Sequence, residues 1–134
     1  MKQIHHSPEL LILLCHFQKS RLGIEAKLIA SGTRWNPAHN INNASYFHRC
    51  LNLQDDSPHY ADPYLLLPQP QLNLPGGLIV DRLQGLLSIP YHQLHPWPTC
   101  LFPAATTPPY WAIALPACGP ILLLDLHNLM KTKA

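Results

Sequence analysis

Proline sets the first limit on what this chain can become. Fifteen prolines are spread from Pro8 to Pro120 across 134 residues, about twice the usual frequency. Proline fixes φ and removes an amide donor, so it breaks helix interiors and is confined to strand ends and edges. A bundle of long helices is excluded, and short strands separated by turns are expected. The length suits one domain, or two small lobes sharing a core. Apolar residues make up 47% of the chain and charged residues only 12%, the reverse of the disordered signature.

Charge points away from nucleic acid. Nine Lys and Arg stand against seven Asp and Glu, a net charge of +2, with no clustered basic run. From Leu83 to Leu124 there is no charged residue, yet eight prolines, His92, Gln93 and His95 interrupt that stretch. No run of about 18 apolar residues occurs, so no spanning helix and no membrane insertion are expected. The apolar stretch Leu10–Cys15 is too short for a secretory signal and reads as a strand, which places the protein in the cytosol. Cys15, Cys50, Cys100 and Cys118 form no C-x-x-C pair. Two disulfides would fit a secreted chain, but without a signal the reading favours buried thiols.

The apolar and polar runs lay out the elements. Glu9–Phe17 is nearly all apolar and reads as a strand covered on both faces. Gln18–Ser20 is a hairpin tip, and Arg21–Ala26 alternates as a returning strand. Ser31–Ala44 reads as loop, Ser45–Leu53 as a strand, Gln54–Pro63 as a polar connection and Tyr64–Leu67 as a short strand. Gly77–Ile89 reads as one extended segment with a bulge or bend at Gly85. Pro90–Pro109 is a proline-rich crossing. Tyr110–Leu115 and Ile121–Leu124 are strands joined by the turn 116–120. Asp125 caps a short helix, Leu126–Met130, whose negative end is matched by Lys131 and Lys133. About seven strands and one terminal helix result, a mainly β pattern typical of small barrels.

Few groups are placed for chemistry. There is no G-x-S-x-G elbow, no phosphate loop and no dinucleotide fingerprint, so no cofactor is expected. Cys15 and His16 are neighbours in a strand and point to opposite faces. His48 and Cys50 would share a strand face and form a candidate thiol dyad beside the plainer reading of a half-buried cysteine. His92, His95 and Cys100 form a loose candidate metal set without the compact spacing of structural zinc. Asp81 suits a turn or local ion pair, and Asp55 and Asp56 a solvated loop. Trp111 alternates with Ile113 and Leu115 and reads as core, whereas Trp97, between Pro96 and Pro98, reads as a loop anchor or partner contact. A chain this poor in charge tends to present apolar patches, which often mark partner surfaces.

Three stretches resemble the CheW-like family of chemotaxis coupling proteins. GLIVDRLQGLLSIP at 77–90 is similar to the family's glycine-led stretch with a central Val-Asp. Leu94–Pro98 is similar to its proline-bearing segment. Residues 114–115 and 121–129 look like its closing hairpin, L-L-D-L motif and helix. About 55 residues match in order and spacing, and Leu10–Ala26 resembles the opening hairpin. Leu51-Asn52-Leu53-Gln54-Asp55 falls where the family carries hydrophobic-N-L-R-G, with Gln54 for the Arg and Asp55 for the Gly. The exchange removes a charge and a forked donor and changes a turn.

The resemblance implies a single domain over 1–134 with two intertwined SH3-like five-stranded β-barrel lobes, the second formed mainly by about 60–115, and a short C-terminal helix. It implies a non-enzymatic adaptor that couples the cytoplasmic domain of chemoreceptors to the regulatory domain of a histidine kinase. Asn52, Leu53 and Gln54 would then lie in or near the partner-facing region. Two alternatives stay open. One is a degenerate member that oligomerises or supports another complex, such as twitching-motility signalling. The other is a small thiol- or metal-dependent enzyme.

Overall fold

A computed structural model describes residues 8–36, 44–50, 60–97 and 110–131. Nine strands run through them: β1 (Glu9–Phe17), β2 (Ser20–Glu25), β3 (Ile29–Arg34), β4 (Ala44–Tyr46), β5 (Pro63–Pro68), β6 (Gly77–Pro90), β7 (Leu94–Pro96), β8 (Tyr110–Ala114) and β9 (Ile121–Leu124). Two short helices join them, α1 (Phe47–Cys50) and α2 (Leu126–Lys131). The strand order is β3-β5-β6-β1-β2-β9-β8-β7, with β4 lying parallel to the start of β6. The fold is mainly β with a short terminal helix, as the sequence implies. Among the described residues the path runs open from β3 to β7 and does not close into barrels.

The nearly all-apolar run of β1 has a physical cause. Its side chains alternate between two separate cores. Leu10, Ile12 and Leu14 pack with Ile89, Ala114 and Ile121. Leu13, Cys15 and Phe17 pack with Ile24, Leu66 and Leu78. β9 divides the same way, sending Ile121 and Leu123 to one core and Leu122 and Leu124 to the other. A strand shared by two cores carries apolar residues on both faces, so period-2 patterning disappears. Each fully buried Leu or Ile contributes about 1.5–3 kcal/mol. Residues between 60 and 115 contribute to both cores. Tyr60, Tyr64, Leu66, Leu74, Leu78, Val80 and Leu83 join the Phe17 core, while Leu87, Ile89, Leu94, Ala112 and Ala114 join the other.

β6 serves both cores by changing register midway. Leu14 faces Gly85 and His16 faces Asp81, so two steps along β1 match four along β6. The excess is taken up by Arg82 at φ 51° and Gly85 at φ 117°. The bulge anticipated at Gly85 is therefore present, and it begins at Arg82.

Several local expectations change. Ser31–Arg34 is strand rather than loop. It pairs antiparallel with β5, Gly32 opposite Leu66, and exposes its side chains. Backbone pairing overrides a polar composition there. The strand expected from Ser45 stops at Tyr46, and Phe47–Cys50 forms a helical turn that buries Phe47 and His48. The proline-rich crossing contains β7, whose Leu94 pairs with Ala114. The hairpin tip is Gln18-Lys19, with Phe17 opposite Ser20. In α2 the Asn128 amide donates to Asp125 Oδ1 at 3.2 Å, the expected cap.

Candidate partner-binding surface

Asn52, Leu53 and Gln54 lie outside the described residues, but both flanks of their segment are fixed. α1 ends at Cys50, and the described chain resumes at Tyr60. The Tyr60 hydroxyl accepts from the His48 backbone N–H at 3.2 Å and lies 3.0 Å from His48 Nδ1. With the ring in its Nε2–H tautomer, the hydroxyl donates to Nδ1. The His48 ring stacks on Phe17 at 6.5 Å between centroids, and Tyr46 meets Tyr60 edge-on at 5.1 Å. Burial pushes the Tyr60 phenol up to about 12, against the opposing pull of the His48 backbone bond.

The candidate chemical sets do not assemble as the sequence suggested. His48 and Cys50 sit two residues apart in a helical turn, where such residues do not face each other. The shared strand face that motivated the dyad is absent, because the strand ends at Tyr46. His48 is committed to the aromatic cluster. His92 lies in the 3-10 turn Tyr91–Gln93 and His95 on β7, both exposed, while Cys100 falls outside the described residues. Among the described residues no three His, Cys, Asp or Glu side chains come together as a metal site.

Asp81 is buried and accepts the Asp62 amide on Oδ1 at 2.7 Å, with Arg82 Nε 3.9 Å from Oδ2. It fastens the entry of β5 to the bulge of β6. Cys15 lies fully buried nearby. Burial, and then the Asp81 carboxylate, push its thiol up to about 12, which keeps it protonated and unreactive. Cys118 differs from the expectation of buried thiols, because it is exposed on the turn before β9. Arg21 donates to its carbonyl oxygen and packs beside Gly119.

What is left over is apolar surface. Leu86 is 62% exposed and Leu11 46%. Leu13 stands opposite Leu86, and Leu11 opposite Ser88, so Leu11 and Leu86 lie diagonally on one face of the β1–β6 pair. Trp111 reverses its expected place. It is 38% exposed, because Ala112 and Ala114 are the residues of β8 that enter the core. The small residues mark the tightly packed face, a signal readable in the Ala-x-Ala spacing. Trp111 borders a cavity of about 330 Å³ over Leu28, Leu124 and Leu126. Trp97 is an anchor, half-buried with its ring 4.9 Å from that of Tyr110.

The chain has the CheW-like fold. The scaffolding protein TtCheW from Thermoanaerobacter tengcongensis superposes with a TM-score of 0.71 at 15% identity, covering 94% of this chain and 95% of that one. No family model matches the chain, and no curated protein matches it in sequence. No helix among the described residues is long and apolar enough to cross a membrane.

Proposed function

We propose that this chain is a non-enzymatic adaptor of chemotaxis-type signalling in the cytoplasm. It joins the cytoplasmic domain of a chemoreceptor to the regulatory domain of a histidine kinase by protein–protein contact. The observation that carries this reading is the end-to-end match in fold to a scaffolding protein. The exposed Leu11 and Leu86, on a chain with few charges, add apolar contact area of the kind an adaptor needs. By resemblance, Asn52, Leu53 and Gln54 belong to the partner-facing region, and the domain acts as one unit over 1–134.

Reconstitution of receptor, kinase and this protein tests the proposal. Kinase activity that depends on the receptor only when this protein is present supports it. Activity indifferent to its addition counts against it. A second reading is favoured by Gln54 and Asp55 in place of Arg and Gly, which removes a forked cation from the partner-facing segment. In that case the protein oligomerises or supports another complex, such as one serving twitching motility. A stable homodimer without kinase contact would favour it.

A further inference from the structure

We propose that the cleft beside Trp111 seats an arginine side chain of a partner protein. Three features point to that guest. The base is apolar, since Leu124 and Leu126 are buried beneath the opening. Trp111, 38% exposed, lines the opening, and tryptophan is the strongest of the aromatic side chains for holding a cation. Glu25 and Asp125 line the same opening, two of only seven carboxylates in a chain of net charge +2.

The groups already present leave room for this guest. Lys27 Nζ lies 3.4 Å from Glu25 Oε2, but the lysine side chain is 78% exposed. Such pairs are weak and readily exchanged. Asp125 Oδ1 receives the Asn128 amide at 3.2 Å, a bond that leaves Oδ2 to meet a donor. His127 lines the opening as well. An apolar guest would strip water from the Asp125 carboxylate without giving Oδ2 a partner, which is costly. An anion would face the Asp125 carboxylate, because Lys27, which also lines the opening, is already held by Glu25. A guanidinium stacks on the indole and forks to a carboxylate while its methylene stem covers the leucines, which a compact ammonium does less well.

This inference stands apart from the signalling reading, because its test uses only this chain and short peptides. The probe is acetyl-Gly-Arg-Gly-amide, followed by NMR on the isotopically labelled protein. The neutral citrulline peptide and free arginine serve as comparisons. The Trp111 indole N–H and the amides around Glu25 and Asp125 shift saturably with the arginine peptide and not with citrulline. Glu25→Gln weakens binding by about two- to fivefold, the size of one exposed ion pair. Asp125→Asn does the same while keeping a good helix cap, so loss of folding cannot mimic the result. Trp111→Ala costs about two- to fivefold. Equal shifts from the citrulline peptide, indifference to both carboxylate substitutions, or no saturable shift would overturn the proposal. Tighter binding of free arginine than of the peptide would also overturn it, by marking a small-molecule site.

Discussion

The Tyr60 hydroxyl bridges two atoms of His48, accepting from its backbone N–H and meeting its ring nitrogen. This link ties α1 to the approach to β5 across the segment that holds Asn52, Leu53 and Gln54. Tyr60→Phe keeps the ring contacts and removes only the hydroxyl. It leaves the His48 amide without this acceptor and lowers stability by about 1–2 kcal/mol, measured by urea unfolding. A change within error would show that the bridge is not an anchor.

Gly23 and Gly85 are both required, for different reasons. A Cβ on Gly23 would lie 2.6 Å from Ile12 Cδ1 and 2.7 Å from Leu123 Cδ2. Gly23→Ala therefore costs about 1–3 kcal/mol by overpacking. Adding Ile12→Val, which removes the clashing methyl, restores part of that loss. Gly85 has open space around it but sits at φ 117°. Gly85→Ala costs about 1–3 kcal/mol through backbone strain, and no neighbouring truncation relieves it. Rescue of both variants by Ile12→Val would contradict this division.

Stability should fall on the alkaline side. The folded Cys15 thiol and Tyr60 phenol both titrate above their ordinary values of 9.0 and 10.0, each near 12. Between these limits the unfolded chain has lost protons that the folded chain retains, so the unfolded state gains with rising pH. The contribution is constant below about pH 9 and declines toward pH 12. Cys15→Ala flattens the part of the slope that begins near pH 9, as followed by chemical unfolding at stepped pH. An unchanged slope would contradict the account of this buried thiol.

The cysteines should separate by reactivity. Exposed Cys118 alkylates in the native protein, while Cys15 does so only on unfolding. Site-resolved mass spectrometry after a timed iodoacetamide pulse checks this. Native labelling of Cys15 at the rate of Cys118 would contradict the burial.

The strongest sequence signals carried the larger elements. The run of β1, the bulge of β6 around Gly85, and Asp125 before α2 were all readable, because each has a local cause. Edge strands were not. β3 is polar and β7 lies among prolines, so only pairing with β5 and β8 makes them strands. Trp111 was misplaced because alternation gives the period of a strand but not which face is inward, and the two alanines decide that. Leu11 is hidden by the same run that reveals β1, and Leu86 by the apolar residues around it in β6. An apolar sequence does not say where the core ends and the surface begins. The carried-over site at Asn52, Leu53 and Gln54 falls outside the described residues, so it stands on resemblance.

The most direct test of the adaptor account is calorimetric titration of this protein with the regulatory domain of a histidine kinase from the same cell. The account predicts saturable micromolar binding that weakens when Leu53 is replaced by Asp. The absence of binding, with both partners shown to be folded, would contradict it and leave a CheW-like scaffold that has lost its kinase partnership.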